Sequence, residues 1–158
     1  MGSNWNRVED GFLGGWETSG IFTYQTGFPL TATISGLDNS QTGGLNDRPD
    51  LTGSPFFANR SIAKWFNTAA FSLPPSGQFG NEETGAIVGP GLVDFDFSLM
   101  KNFRLHEQHS LQFRAELFNS FNHPNFLNPV TIFNSPAFGT ITGALSGREI
   151  QFGLRYSF

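Results

Sequence analysis

Cysteine is absent from the 158-residue chain, which excludes disulfide scaffolds, thiolate metal centres and cysteine nucleophiles. Lysine is nearly absent: Lys64 and Lys101 are the only two, and charged residues make up 14% of the sequence, against about 25% in an average chain. With a net charge of −4, the basic stripe of a nucleic-acid binder is missing, and no nucleic-acid partner is expected. No run of about 18 apolar residues occurs, so no transmembrane helix is expected. Nor is there a Gly-x-Ser-x-Gly elbow, a phosphate loop or a His-Glu-x-x-His pair. No nucleophile, base and orienting group can be assembled. The expectation is therefore no enzyme, no catalytic residue, no metal and no cofactor.

Abundant instead are phenylalanine and glycine, 19 of each. Much of the phenylalanine falls in four segments that alternate apolar and polar residues, the signature of two-faced strands. In the first, roughly 15–34, the apolar parity carries Trp16, Phe22, Tyr24, Phe28, Leu30, Ala32 and Ile34, with Ile21 an interior exception. In the second, 92–104, Val93, Phe95, Phe97, Leu99 and Phe103 alternate with Asp94, Asp96, Ser98, Asn102 and Arg104. The third, 110–121, sets Leu111, Phe113, Ala115 and Leu117 against Gln112, Arg114 and Glu116. The fourth, 148–158, sets Ile150, Phe152, Leu154, Tyr156 and Phe158 against Glu149, Gln151, Gly153 and Arg155. A tight turn at 105–109 joins the second and third. Segments 35–91 and 122–147 are long and filled with Gly, Pro, Asn, Ser and Thr, residues of turns rather than packed cores. Ser61 is placed to cap a helical turn through 62–66.

Such alternation serves a soluble sandwich or a membrane barrel equally, with lipid replacing the core in the second. Strand length favours the barrel: crossing a bilayer takes about 9–11 tilted residues, whereas globular strands average about 5–6. Connections alternating short and long match periplasmic turns and external loops. With the long loops outside, Trp16, Phe103, Phe113 and Tyr156 gather at the periplasmic ends of the apolar face as an aromatic girdle. The opposite face carries Glu17, Asp94, Asp96, Arg104, Arg114, Glu116, Glu149 and Arg155, charges that suit a wet lumen and contact with a plug or substrate. Lys101 sits on the lipid parity, near enough to the interface to snorkel. Phe118 and Asn119 break the parity toward the external end. The fold expected is all-β: an antiparallel transmembrane barrel fragment of about four strands with two long external loops. Four strands do not close a barrel, since bacterial single-chain barrels start at eight. Residues 1–13 form a periplasmic turn or short helix, and 14–158 an incomplete barrel domain completed by further strands.

Several motifs have blander readings than their chemistry suggests. Asp94 and Asp96 resemble a divalent-cation pair, but alternation alone puts two acids on one lumen face. His106, His109 and Glu107 share a short turn that offers too few converging ligands for a metal. His123 reads as a hydrogen-bonding loop residue. Arg114, Glu116 and Arg155 form a lumen charge network. Asn59, Arg60 and Ser61 match a glycosylation triplet by chance. Residues 46–50 in the first long loop are candidates to touch substrate at a barrel mouth.

The ordered set 14–29 (GGWETSGIFTYQTGFP), 65–71 (WFNTAAF), 89–103 (GPGLVDFDFSLMKNF), 111–126 (LQFRAELFNSFNHPNF), 138–142 (FGTIT) and 148–158 (REIQFGLRYSF) resembles the C-terminal end of the Oar-like TonB-dependent outer-membrane transporters of Acidobacteria type. The resemblance covers roughly residues 11–158. It implies a carboxypeptidase-regulatory-like domain, a plug and further strands of a 22-stranded barrel elsewhere in the same protein. TonB would act only through that N-terminal part. Gln151, Gly153, Tyr156 and Phe158 also resemble the β-signal read by the barrel-assembly machinery. Implied partners are outer-membrane lipid, that machinery and the plug; the implied location is the bacterial outer membrane. A passive porin or adhesin-like barrel and a soluble β-sandwich ligand-binding module stay open as alternatives.

Overall fold

The computed structural model describes residues 13–106 and 109–158. The short helix expected within 1–13 and most of the turn around Glu107 lie outside the described residues. In chain order the elements are β1 (Trp16–Gln25), β2 (Pro29–Leu30), β3 (Ile34–Ser35), β4 (Asn46–Asp47), β5 (Asp50–Leu51), a 3₁₀ turn (Thr68–Ala70), β6 (Phe71–Ser72), β7 (Ile87–Val88), β8 (Leu92–His106), β9 (His109–Phe118) and β10 (Glu149–Ser157). The all-β expectation holds. The chain divides into a sheet unit, built on residues 13–24, 93–124 and 146–158, and a loop unit of residues 25–92 and 125–145.

The sheet unit is one four-stranded sheet in the order β1-β8-β9-β10. Its strands run 10, 15, 10 and 9 residues, the lengths that long unbroken alternation dictates. β8 pairs antiparallel with β9, and β9 with β10. β1 runs against β8 in the same sense, because Gly15 lies beside Asn102 and Gly20 beside Asp96. The registers align the parities across strands. Phe97–Leu117–Ile150, Leu99–Ala115–Phe152, Lys101–Phe113–Leu154 and Phe103–Leu111–Tyr156 form rows on one face. Ser98–Glu116–Gln151, Met100–Arg114–Gly153, Asn102–Gln112–Arg155 and Arg104–Ser110–Ser157 form rows on the other. On β10 the apolar rows stay exposed, Phe152 at 69% and Leu154 at 71%, while on β8 and β9 most of their members are half-buried and Ala115 and Lys101 are buried. A soluble sandwich would bury this face between two sheets, so the sandwich reading is set aside.

Two strands stop well short of the sequence expectation. β1 stops at Gln25 rather than continuing to Ile34. Backbone passes so close at Gly27 that a Cβ there would meet the Gly89 carbonyl oxygen, and the chain leaves the sheet at this crossing. Beyond it Ala32 and Ile34 are fully buried in the loop unit; their alternation continues the pattern but serves a different partner. β9 ends at Phe118 because Asn119 takes a left-handed φ of 47°, a conformation asparagine tolerates better than most residues.

The loop unit overturns the expectation that 35–91 and 122–147 are turn-rich segments without a core. Ala32, Phe66, Ala70, Phe71 and Ile87 are buried together, with Leu30, Leu51, Trp65, Phe133 and Phe138 packed on them. Phe66, Phe71 and Phe138 meet edge to face in all three pairings, with ring centroids 5.1–5.6 Å apart, and Phe133 adds to Phe138 at 5.5 Å. Each such pair contributes about 0.5–1.5 kcal/mol beyond burial. Short ladders β2–β7, β3–β4 and β5–β6 frame this core. The second loop is stitched to the segment leading into the first at Thr33: its N–H donates to the Thr131 carbonyl at 3.0 Å, and its carbonyl accepts from Phe133 N–H at 2.8 Å. Ser61 does accept from Lys64 N–H, at 3.1 Å. It closes a single turn rather than capping a helix, and the 3₁₀ turn lies further on, at Thr68–Ala70.

Candidate functional site

The polar face of the sheet unit carries a groove of about 300 Å³ between β1, β8 and β9. Ser19 and Ile21 approach it from β1, Asp96, Ser98 and Met100 from β8, and Arg114, Glu116 and Phe118 from β9. The register explains the gathering: Ser98 faces Glu116 and Met100 faces Arg114. Arg114 and Glu116 form an ion pair at 3.6 Å. Both side chains are partly exposed, so the pair orients the groove more than it stabilises the sheet. Asp96 Oδ1 accepts the Asn119 N–H at 3.0 Å, and the Asn119 side-chain amide brackets the His123 backbone at 2.9 Å on both sides. This corner fixes the end of β9 over the groove.

Of the expected lumen residues, the structure brings Asp96, Arg114 and Glu116 together. Asp94 lies one step beyond, with Oδ1 buried and without a hydrogen-bond partner. Arg155 is registered opposite Gln112 and Arg104 opposite Ser110; neither lines the groove. Among the described residues the only ion pair in this network is Arg114–Glu116, so the expected link to Arg155 is absent. Sequence reasoning missed the role of Ile21, Met100 and Phe118. Ile21 and Phe118 were visible as parity exceptions, and they give an otherwise polar groove its apolar walls.

On the apolar face, Phe113 stacks on Phe152 at 6.0 Å, and Phe103 and Tyr156 end the last apolar row. The Tyr156 hydroxyl and His109 Nδ1 share a hydrogen bond of 2.6 Å. Lys101 corrects the snorkelling expectation. It is 2% exposed, its ammonium donates to the Gly14 carbonyl, and the Trp16 and Phe103 rings cover it at 5.1 and 5.2 Å. A buried cation needs such partners.

In the loop unit, the side chains of Asp47, Arg48 and Asp50 make internal hydrogen bonds. Asp47 is buried and accepts from Ser40 N and Oγ at 2.7 and 3.0 Å. The Arg48 guanidinium donates to the Glu82 carbonyl and Thr84 Oγ1 at 3.1 and 3.0 Å, and Asp50 accepts from Asn81 N–H at 3.0 Å. These bonds hold this part of the unit together, while Asn46 and Arg48 stay exposed. Asp38 gathers the N–H groups of Gly43 and Thr42 and the Ser40 hydroxyl; these bonds, Gly43 foremost, hold its carboxyl below the ordinary range against some desolvation. Glu82, which no motif marks, is almost fully buried. One oxygen accepts from Ala32 N–H at 2.9 Å and the other has no partner. Burial pushes its carboxyl up, partly opposed by the Ala32 N–H and the Arg48 charge.

A sheet with one ring-lined apolar face and a polar opposite face has the pattern of an outer-membrane β-barrel wall. Comparison with known families agrees: the family model for an outer membrane beta barrel domain matches residues 1–151. The chain belongs to that family, which places it in the bacterial outer membrane. No curated protein and no solved structure matches it.

Proposed function

We propose that the chain supplies wall, external loops and C-terminal assembly signal of a TonB-dependent transporter for substrate uptake. The loop unit supports this reading most directly. Its aromatic core of Phe66, Phe71, Phe133 and Phe138 gives the segments between strands a fixed shape. A mouth that recognises a ligand needs such shape, whereas an open diffusion pore does not. The ordered motifs that resemble Oar-like transporters support the same subtype. In this reading Asp96, Arg114 and Glu116 face the plug or passing substrate, and the plug and remaining strands come from the same full-length protein. Outer-membrane lipid covers the apolar rows. β10 is an outer strand of the sheet, and such a strand is a template for pairing; Gln151, Gly153, Tyr156 and Phe158 lie on or beside it for the assembly machinery. The chain carries out no catalysis of its own.

The test is conductance. The outer-membrane protein carrying this chain is purified and inserted into a planar lipid bilayer. A plugged transporter gives no steady current, and current appears once the plug is removed. A steady ohmic current from the intact protein contradicts the proposal and establishes a passive porin.

A further inference from the structure

The loop unit contains a second cavity, of about 270 Å³, that shares no lining residue with the groove on the sheet. Its lining includes the buried faces of Phe66 and Ile87, exposed 3% and 1%, and the far more open ring of Phe56, exposed 65%. Arg60, Ser54 and Val88 also line it, with Pro55 and Ala86. The Arg60 guanidinium sits 5.4 Å from the centroids of both the Phe56 and Trp65 rings. Trp65 is itself fixed, since its indole N–H donates to the Val88 carbonyl at 2.9 Å. Two aromatic faces thus hold the guanidinium in place, and among the described residues its N–H donors are given to no acid or carbonyl. Ser54 Oγ accepts from Phe56 N–H at 3.2 Å, and its own proton is likewise not given to any acceptor described.

We propose that this cavity binds a small organic anion, a monocarboxylate with an aromatic body. Guanidinium presents a planar fork that matches a carboxylate bidentately, and here the fork is already oriented, so little freedom is lost on binding. The Ser54 hydroxyl can donate to the same carboxylate. Phe66, Ile87 and Phe56 take the ring, and a cavity just below the usual range for bound ligands restricts the ligand to a small one. An unspent arginine beside an apolar floor selects for charge and apolar body together. A neutral ring leaves the guanidinium unmatched, and a bare inorganic anion leaves the floor uncovered. The site needs only the loop unit's own packing, so it stands or falls separately from the transport reading.

The test uses the detergent-purified outer-membrane protein carrying this chain, with phenylacetate and its neutral analogue phenylacetamide, followed by ligand-observed NMR titration. Phenylacetate is expected to bind about tenfold or more tightly than the amide, as a charge-assisted pair requires. Arg60→Gln is expected to bring the acid down to the level of the amide. Phe56→Ala is expected to weaken both ligands by a similar factor. Equal affinity for acid and amide, or no phenylacetate binding at millimolar concentration, overturns the proposal. An acid preference that survives Arg60→Gln overturns the assignment of the anion to Arg60. Should the substitution disturb the aromatic cluster, visible as changed near-ultraviolet dichroism, the wild-type preference and Ser54→Ala still decide.

Discussion

Phe152 on β10 is 69% exposed and Phe66 in the loop unit is 3% exposed, although both belong to a chain with the same 19 phenylalanines to distribute. On the sheet the rings repeat every second residue and line up in rows across the strands, open on β10. In the loop unit they come from separated stretches, at Phe66, Phe71, Phe133 and Phe138, and close on one another edge to face. The difference lies in the solvent each expects. Rings in rows offer a surface to hydrocarbon, which has no shape of its own to match. Rings in a cluster build an interior, where shape complementarity decides stability. The two units therefore respond to substitution by different rules.

The largest effect is expected inside the cluster. Phe66→Ala should cost about 3–5 kcal/mol through lost burial and a residual cavity. Hydrogen exchange should then rise through β2, β6 and β7 while β8 to β10 keep their protection. A smaller effect, of about 2–4 kcal/mol, is expected for Phe152→Arg if that position lies near the bilayer midplane, because the charge meets lipid. Gln151→Arg, one residue away on the wet face, should cost close to nothing. Folding equilibria in lipid vesicles measure both. Asn119→Ala should cost about 1–3 kcal/mol. It removes a side chain that brackets His123 and places alanine at a φ of 47°. Faster exchange at the β9 end would show it, and little change there would mean the corner is held by β8 alone.

The smallest effect is the pH dependence of Glu82. Its carboxyl is raised above the ordinary 4.5 by burial. Below 4.5 it is protonated folded and unfolded, and its burial carries no ionic penalty. As pH rises from there, the unfolded chain loses the proton first, so the loop unit loses stability until the raised folded value is passed. Local opening of β2 and β7 should become more frequent over that window. Glu82→Gln should flatten the profile, and an unchanged profile would move the titration elsewhere. The sheet unit should show no matching change in the same variant.

The same contrast marks what the sequence made legible. Parity located all four long strands and both faces, because lipid and lumen impose a period of two wherever they meet a strand. Parity also overran: Leu30, Ala32 and Ile34 extend the first pattern, yet Gly27 turns the chain away, Leu30 and Ala32 enter the loop core, and Ile34 is buried in the same unit. Alternation records that one side is apolar and not which medium lies there. The loop core was hidden for a different reason. Its rings have no period, and its partners lie far apart in the chain, Phe66 against Phe138. Turn-forming Gly, Pro and Asn around them read as open loop. Asp96, Arg114 and Glu116 were identifiable as one face, but their convergence on a groove needed the register of three strands. Lys101 was placed on the apolar parity, while its cover by Trp16, Phe103 and the Gly14 carbonyl depends on β1 lying beside β8. Glu82 lies in a stretch with no motif, and only the fold shows its burial.

The central claim is that the sheet separates lipid from water. A cysteine scan through Glu149–Ser157 tests it most directly, since the chain has no cysteine of its own and each spin label on it would be unique. The protein carrying this chain would be placed in lipid vesicles and each label exposed to oxygen, which concentrates in lipid, and to a water-soluble nickel complex. The account expects oxygen contact at 150, 152, 154 and 156, and nickel contact at 149, 151, 153 and 155. Labels at the even positions shielded from both reagents would mean a packed protein interior and would contradict it.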